Sequence, residues 1–99
     1  MIEDCTEHLM LLTVSVHIPQ AQSLKQKRAV LKSLKERVRY KFNVSVAEVG
    51  GLDKWQRAVL AFAIVGNDKR HMDSCLQSLK SFIESFPTLE LCESLLEHY

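Results

Sequence analysis

The chain has 99 residues, of which 46% are apolar and 25% charged, and its formal net charge is +1. That is the length and balance of one soluble domain with enough apolar residues for its own core. A disulfide-stapled miniprotein is excluded by three cysteines, Cys5, Cys75 and Cys92, that are odd in number and lack any C-x-x-C spacing. A membrane helix is excluded by the longest apolar stretch, residues 58–65, which is far too short to span a bilayer. Residues 1–8 carry Glu3, Asp4 and Glu7 and no basic residue, which is not the pattern of a signal peptide. They are expected to be a flexible acidic tail on a single domain covering residues 1–99. The cysteine usage suits a reducing cytoplasm. The four histidines, His8, His17, His71 and His98, are scattered without paired local ligands, so no metal or cofactor is expected.

The first element is a strand over residues 9–18. Met10, Leu12, Val14, Val16 and Ile18 alternate with Leu11, Thr13, Ser15 and His17, a period of two that buries one face. Pro19 stops it. Ser23-Leu24-Lys25-Gln26 reads as a capping box opening a helix to about Phe42, with no Gly or Pro inside. Leu24, Leu31, Leu34, Val38 and Phe42 share one stripe at 100° per residue. A short strand follows over residues 43–49, with Val44 and Val46 as its apolar pair, and then a turn through Gly50-Gly51-Leu52-Asp53-Lys54. The most apolar strand spans residues 56–65. Asn67 or Asp68 caps a second helix, whose core stripe is Met72, Leu76, Leu79, Ile83 and Phe86, with Pro87 ending it. A weaker last strand runs over residues 88–96.

The order β-α-β-β-α-β, with right-handed crossovers and both helices on one face, predicts an α+β ferredoxin-like fold. Its four-stranded antiparallel sheet has the order 4-1-3-2. The two strongest apolar runs then occupy the two central strands.

Charge is not spread evenly over this frame. Residues 24–42 hold eight basic residues, Lys25, Lys27, Arg28, Lys32, Lys35, Arg37, Arg39 and Lys41, against one acid, Glu36. The segment is +7, so the remainder of a +1 chain is −6. Lys25, Arg28, Lys32, Lys35 and Arg39 step by 3 and 4 into a stripe beside the apolar one. Like charges at that spacing repel by a few tenths of a kcal/mol per pair, and cationic faces select anionic partners. The topology also brings His17, Ser23, Lys25, Arg28, Trp55 and Arg57 to one edge of the sheet. A helix start offers free N–H groups there, and Trp55 beside Arg57 offers a stacking surface. The candidate nucleic-acid or anion-binding set is therefore Lys25, Lys27, Arg28, Lys32, Lys35, Arg39, His17, Ser23, Trp55 and Arg57. The competing reading is a solvated or internally paired face, with Trp55 packed over the hairpin.

The helix-free face of the sheet carries small residues, Thr13, Ser15, Val59, Ala61 and Ala63, and no aromatic at the inner positions. That disfavours base stacking on the sheet in the manner of RNA-recognition motifs and suits sheet-on-sheet packing in a homodimer. No catalytic motif is present: there is no G-x-S-x-G, no P-loop and no H-E-x-x-H. An enzyme is not expected.

Several segments in order, His17-Ile18-Pro19, Ser23-Leu24-Lys25-Gln26-Lys27-Arg28, Phe42-Asn43-Val44-Ser45-Val46-Ala47-Glu48-Val49, Trp55-Gln56-Arg57-Ala58 and Asn67-Asp68-Lys69-Arg70-His71, resemble the YlxP family of small bacterial proteins of unknown function. The resemblance covers residues 9–96. The acidic tail is longer than the family pattern and the Gly50-Gly51 turn less polar. The resemblance implies the same ferredoxin-like fold and brings no established activity. Such proteins are often encoded among translation-initiation and ribosome-maturation genes, which implies association with RNA or the ribosome. The expectation is a cytoplasmic, non-enzymatic accessory protein binding RNA or a ribosomal particle through the basic helix. The alternative is a homodimeric regulatory or protein-interaction module built on the open sheet face. A small anionic ligand at the helix start is a third reading.

Overall fold

The computed structural model describes residues 2–99, so the expectation for Met1 in the acidic tail lies outside the described residues. Six elements follow in the expected order: β1 (His8–His17), α1 (Leu24–Lys41), β2 (Ser45–Gly50), β3 (Arg57–Gly66), α2 (Lys69–Glu84) and β4 (Glu90–His98). The sheet order β2-β3-β1-β4 is the predicted one, and every neighbouring pair is antiparallel. The fold is the βαββαβ α+β arrangement.

Alternation explains which face each strand buries. Met10, Leu12, Val14 and Val16 of β1 and Ala58, Leu60, Phe62 and Ile64 of β3 face the helices and are buried. They meet Leu31, Leu34 and Val38 of α1 and Met72, Leu76, Leu79 and Ile83 of α2. Each fully buried Val, Leu, Ile, Met or Phe side chain among them contributes about 1.5–3 kcal/mol on removal from water.

The helix ends are set by local hydrogen bonds. Ser23 Oγ accepts from Gln26 N–H at 3.1 Å, as the capping box requires. The reciprocal bond differs from the expected one: Gln26 Oε1 accepts from Gln22 N–H at 2.6 Å, one residue before the cap. Asp68, and not Asn67, caps α2, its carboxylate accepting from His71 N–H at 3.2 Å. That helix stops at Glu84, two residues short of the predicted stripe, and Ser85 caps it. Phe86 still reaches the core from the turn that follows.

Two register shifts shape the sheet. One falls in β1–β4 between Ser15 and Val16, the other in β2–β3 between Glu48 and Gly50. In the second, Glu48 lies opposite buried Leu60, so its side chain is on the helix side. Gly51 then turns with φ +67°, a conformation that favours glycine, and a Cβ there would press on Arg57 O at 3.1 Å.

A cationic ridge and a pinned hairpin as the candidate functional site

The basic residues of α1 divide into three groups by what they touch. Lys27 points inward. It is 1% exposed, its Nζ lies 2.9 Å from Glu48 Oε2, and it donates a hydrogen bond to Gly51 O. Glu48 Oε2 has no aligned hydrogen bond of its own, so the close approach to Lys27 is an electrostatic contact first. Lys27 is thus corrected from the candidate set: it cannot meet a partner, because it holds the β2–β3 hairpin to α1. A buried charge of this kind is tolerated only with its counter-charge present.

Arg37 and Lys41 lie over aromatic rings on the α2 side of the helix. The Arg37 guanidinium is 5.5 Å from the centre of Phe86, and Lys41 Nζ is 5.1 Å from that of Phe82. These are cation–π distances.

The third group is the predicted stripe. Lys25, Arg28, Lys32 and Arg39 are exposed, Lys35 is half-buried, and among the described residues none has a carboxylate within 4.0 Å. Four of the five line an open groove of about 380 Å³ beside β2, together with Leu31, Glu36 and Glu48. Lys25 and Arg39 are 14 positions apart, which at about 1.5 Å per residue makes a ridge roughly 21 Å long.

The second predicted cluster is assembled in part. His17, Trp55 and Arg57 line one open depression of about 690 Å³ with Gln22, Asp53, Lys54 and Gln56. Trp55 is 54% exposed and not packed away over the hairpin. Lys25 and Arg28 do not line it. Ser23 spends its hydroxyl on the helix cap. His17 Nδ1 stands 3.8 Å from Glu90 Oε2 across the strand pair, a weak surface contact that sets an acid beside the expected anion site.

The Trp55 turn is held from several sides. Gln56 Nε2 donates to the carbonyls of Pro19 and Ala21 at 3.2 and 3.0 Å. Ile18 N–H donates to Gln56 O at 2.8 Å, and Lys54 N–H to Gly51 O at 3.0 Å. Lys27 completes the set from below. Sequence reasoning missed this role of Lys27 and Glu48, although both signals were present: Lys27 falls between Leu24, Leu31 and Leu34 on the core stripe, and Glu48 continues the face of Val44 and Val46.

The cysteines are free thiols. Burial pushes the Cys75 thiol above its ordinary value, the opposite of what a nucleophilic thiolate needs. Among the described residues, no group of three or more His, Cys, Asp and Glu side chains converges on a point that could hold a metal ion. No helix among them is long and apolar enough to cross a membrane.

A single antiparallel sheet backed by two helices, one of them bearing a row of cations with no carboxylate within 4.0 Å among the described residues, defines a small α+β domain with a charged face. Residues 9–95 match the family described as a protein of unknown function, DUF503, and the chain belongs to that family. It is similar to the uncharacterized protein YlxP of Bacillus subtilis (strain 168), with 47% identity over 73 residues, 74% of this chain and 79% of that protein. Among solved structures it is similar to the de novo designed protein Foldit4, with a TM-score of 0.55 over 94% of this chain and 96% of that one. At 15% identity, that likeness is one of fold alone. The family relation matches the resemblance carried by the segments above.

Proposed function

We propose that this protein is a cytoplasmic, non-catalytic accessory factor that binds RNA, free or within a ribosomal particle, through the outer ridge of α1. The reading rests on one observation: Lys25, Arg28, Lys32, Lys35 and Arg39 stand in line with no carboxylate within 4.0 Å among the described residues. Of the two acids in the groove beside them, Glu48 is paired with Lys27, and Glu36 makes no ion pair within 4.0 Å among the described residues. A row of unneutralised cations binds a polyanion by displacing its condensed counterions, whatever the base sequence. Trp55, half-exposed on its pinned turn beside Lys54 and Arg57, adds a separate face on which a base stacks.

The test is a titration of structured RNA at several salt concentrations, for the wild type and for a variant with Lys25, Arg28, Lys32 and Lys35 replaced by Gln. The wild type is expected to show a negative slope of log K against log salt. The variant should bind more weakly to all sequences alike, its slope shallower by about one unit per contact removed. Salt-independent binding, or none, contradicts the reading.

A further inference from the structure

The far side of the sheet is not built like a wetted face. In β3 the whole stretch from Ala58 to Val65 is apolar. Ala58, Leu60, Phe62 and Ile64 take the helix side, and Val59, Ala61, Ala63 and Val65 the other. An antiparallel sheet with one face in water normally alternates apolar with polar, and a strand apolar on both sides is the pattern of one covered on both sides. Around this central strip Leu9, Val49, Val65 and Leu95 are 45%, 55%, 70% and 58% exposed. Charges on this face are confined to its end and its β4 margin.

We propose that the open sheet face binds a second copy of this chain, sheet on sheet, about a two-fold axis running along the strands. Area is the first support. β1 and β3 are 10 residues each. β4 has 9 residues and β2 only 6, so at about 3.3 Å per residue and ~4.8 Å between strands the face covers roughly 550 Å². Two copies would bury about 1,100 Å² in all, just above the ~1,000 Å² that a biological interface should clear.

Charge placement selects the copy and its orientation. Glu93 and Glu97 lie opposite Ser15 and Leu11 and so share the open face along β4. With the axis along the strands, β4 of one copy crosses β2 of the other, whose Ser45, Ala47 and Val49 carry no charge. The same operation sets Arg57 of each copy over the end of β1 where His17 meets Glu90 of the other. An axis across the strands would instead lay the two acidic β4 strands on each other. The helices remain outside, so the α1 ridge is untouched and the RNA titration stands or fails separately.

Sedimentation equilibrium from 10 to 500 µM tests the proposal. The wild type is expected to be dimeric in the upper part of that range, and Ala61→Arg, at the middle of the face, monomeric with unchanged circular dichroism. If Ala61→Arg unfolds, Thr13→Arg on the adjacent strand provides the same reading. A monomeric wild type at 500 µM overturns the proposal, even if another protein is later found on this face. So does a folded Ala61→Arg or Thr13→Arg that remains dimeric, because the contact would then lie elsewhere.

Discussion

Lys27 and Lys32 lie on the same helix, chemically identical, in opposite situations. Lys27 is sealed under the β2–β3 hairpin with Glu48 2.9 Å away. Lys32 stands in water among other cations, in a groove that also holds Glu36, with no carboxylate within 4.0 Å among the described residues. The ammonium group is the same in both, and the surroundings decide its work: an inward lysine fixes the shape of the hairpin, and an outward one contributes to the field of the surface. A count of +7 over the segment treats both as one quantity, whereas the structure separates a structural charge from a recognition charge.

The largest expected effect comes from breaking the inward half. Lys27→Ala leaves Glu48 mostly buried without its counter-charge, and such half-broken pairs cost about 3–5 kcal/mol. Because the Glu48 side chain keeps 15% exposure, about 3 kcal/mol is expected, read as a lowered midpoint in urea unfolding. Lys27→Met combined with Glu48→Leu should recover most of it, since apolar groups of similar volume replace buried ion pairs at little cost. A Lys27→Ala variant as stable as the wild type would mean that the pin does not hold the hairpin.

A smaller effect lies at the other end of the sheet, where His8 Nδ1 and His98 Nε2 approach to 3.1 Å. That hydrogen bond needs one of the two nitrogens to be a bare acceptor. Desolvation by the atoms around it holds His98 below its ordinary value of 6.5, and the charges of Lys69 and His8 add to this. The unfolded chain therefore takes up its proton first as the pH falls. Stability is complete above pH 6.5 and declines below it, until the folded form is protonated as well. Melting temperatures at pH 7.5 and 5.5 should differ slightly more for the wild type than for His98→Gln. Equal differences would show that the pair carries no linkage.

Most of the fold was legible in the chain because period and capping act locally. The alternation of Met10, Leu12, Val14 and Val16 and the Ser23 cap fix their elements without knowledge of the rest. The outward stripe was legible for the same reason, since steps of 3 and 4 place residues on one face of any helix. The pin was not, because it joins two elements 21 positions apart and depends on register. Lys27 had to be recognised as occupying a core position despite its charge, and Glu48 as sharing the inward face of Val46 on a strand whose pairing shifts just beyond it. The end of α2 was also misplaced, since Phe86 keeps its core position after the helix has stopped. The geometry around His17 depended on which acid β4 sets opposite it, and the weak pattern of that strand did not give its register.

The division between inward and outward charge is tested most directly by one paired measurement: melting temperature and salt-dependent RNA affinity for Lys27→Gln and Lys32→Gln. Lys27→Gln should lower the melting temperature and keep the wild-type salt slope. Lys32→Gln should keep the melting temperature, or raise it slightly as like-charge repulsion is relieved, and flatten the slope by about one unit. If both variants shift the two quantities together, or Lys27→Gln alone flattens the slope, the two charges are not doing separate work.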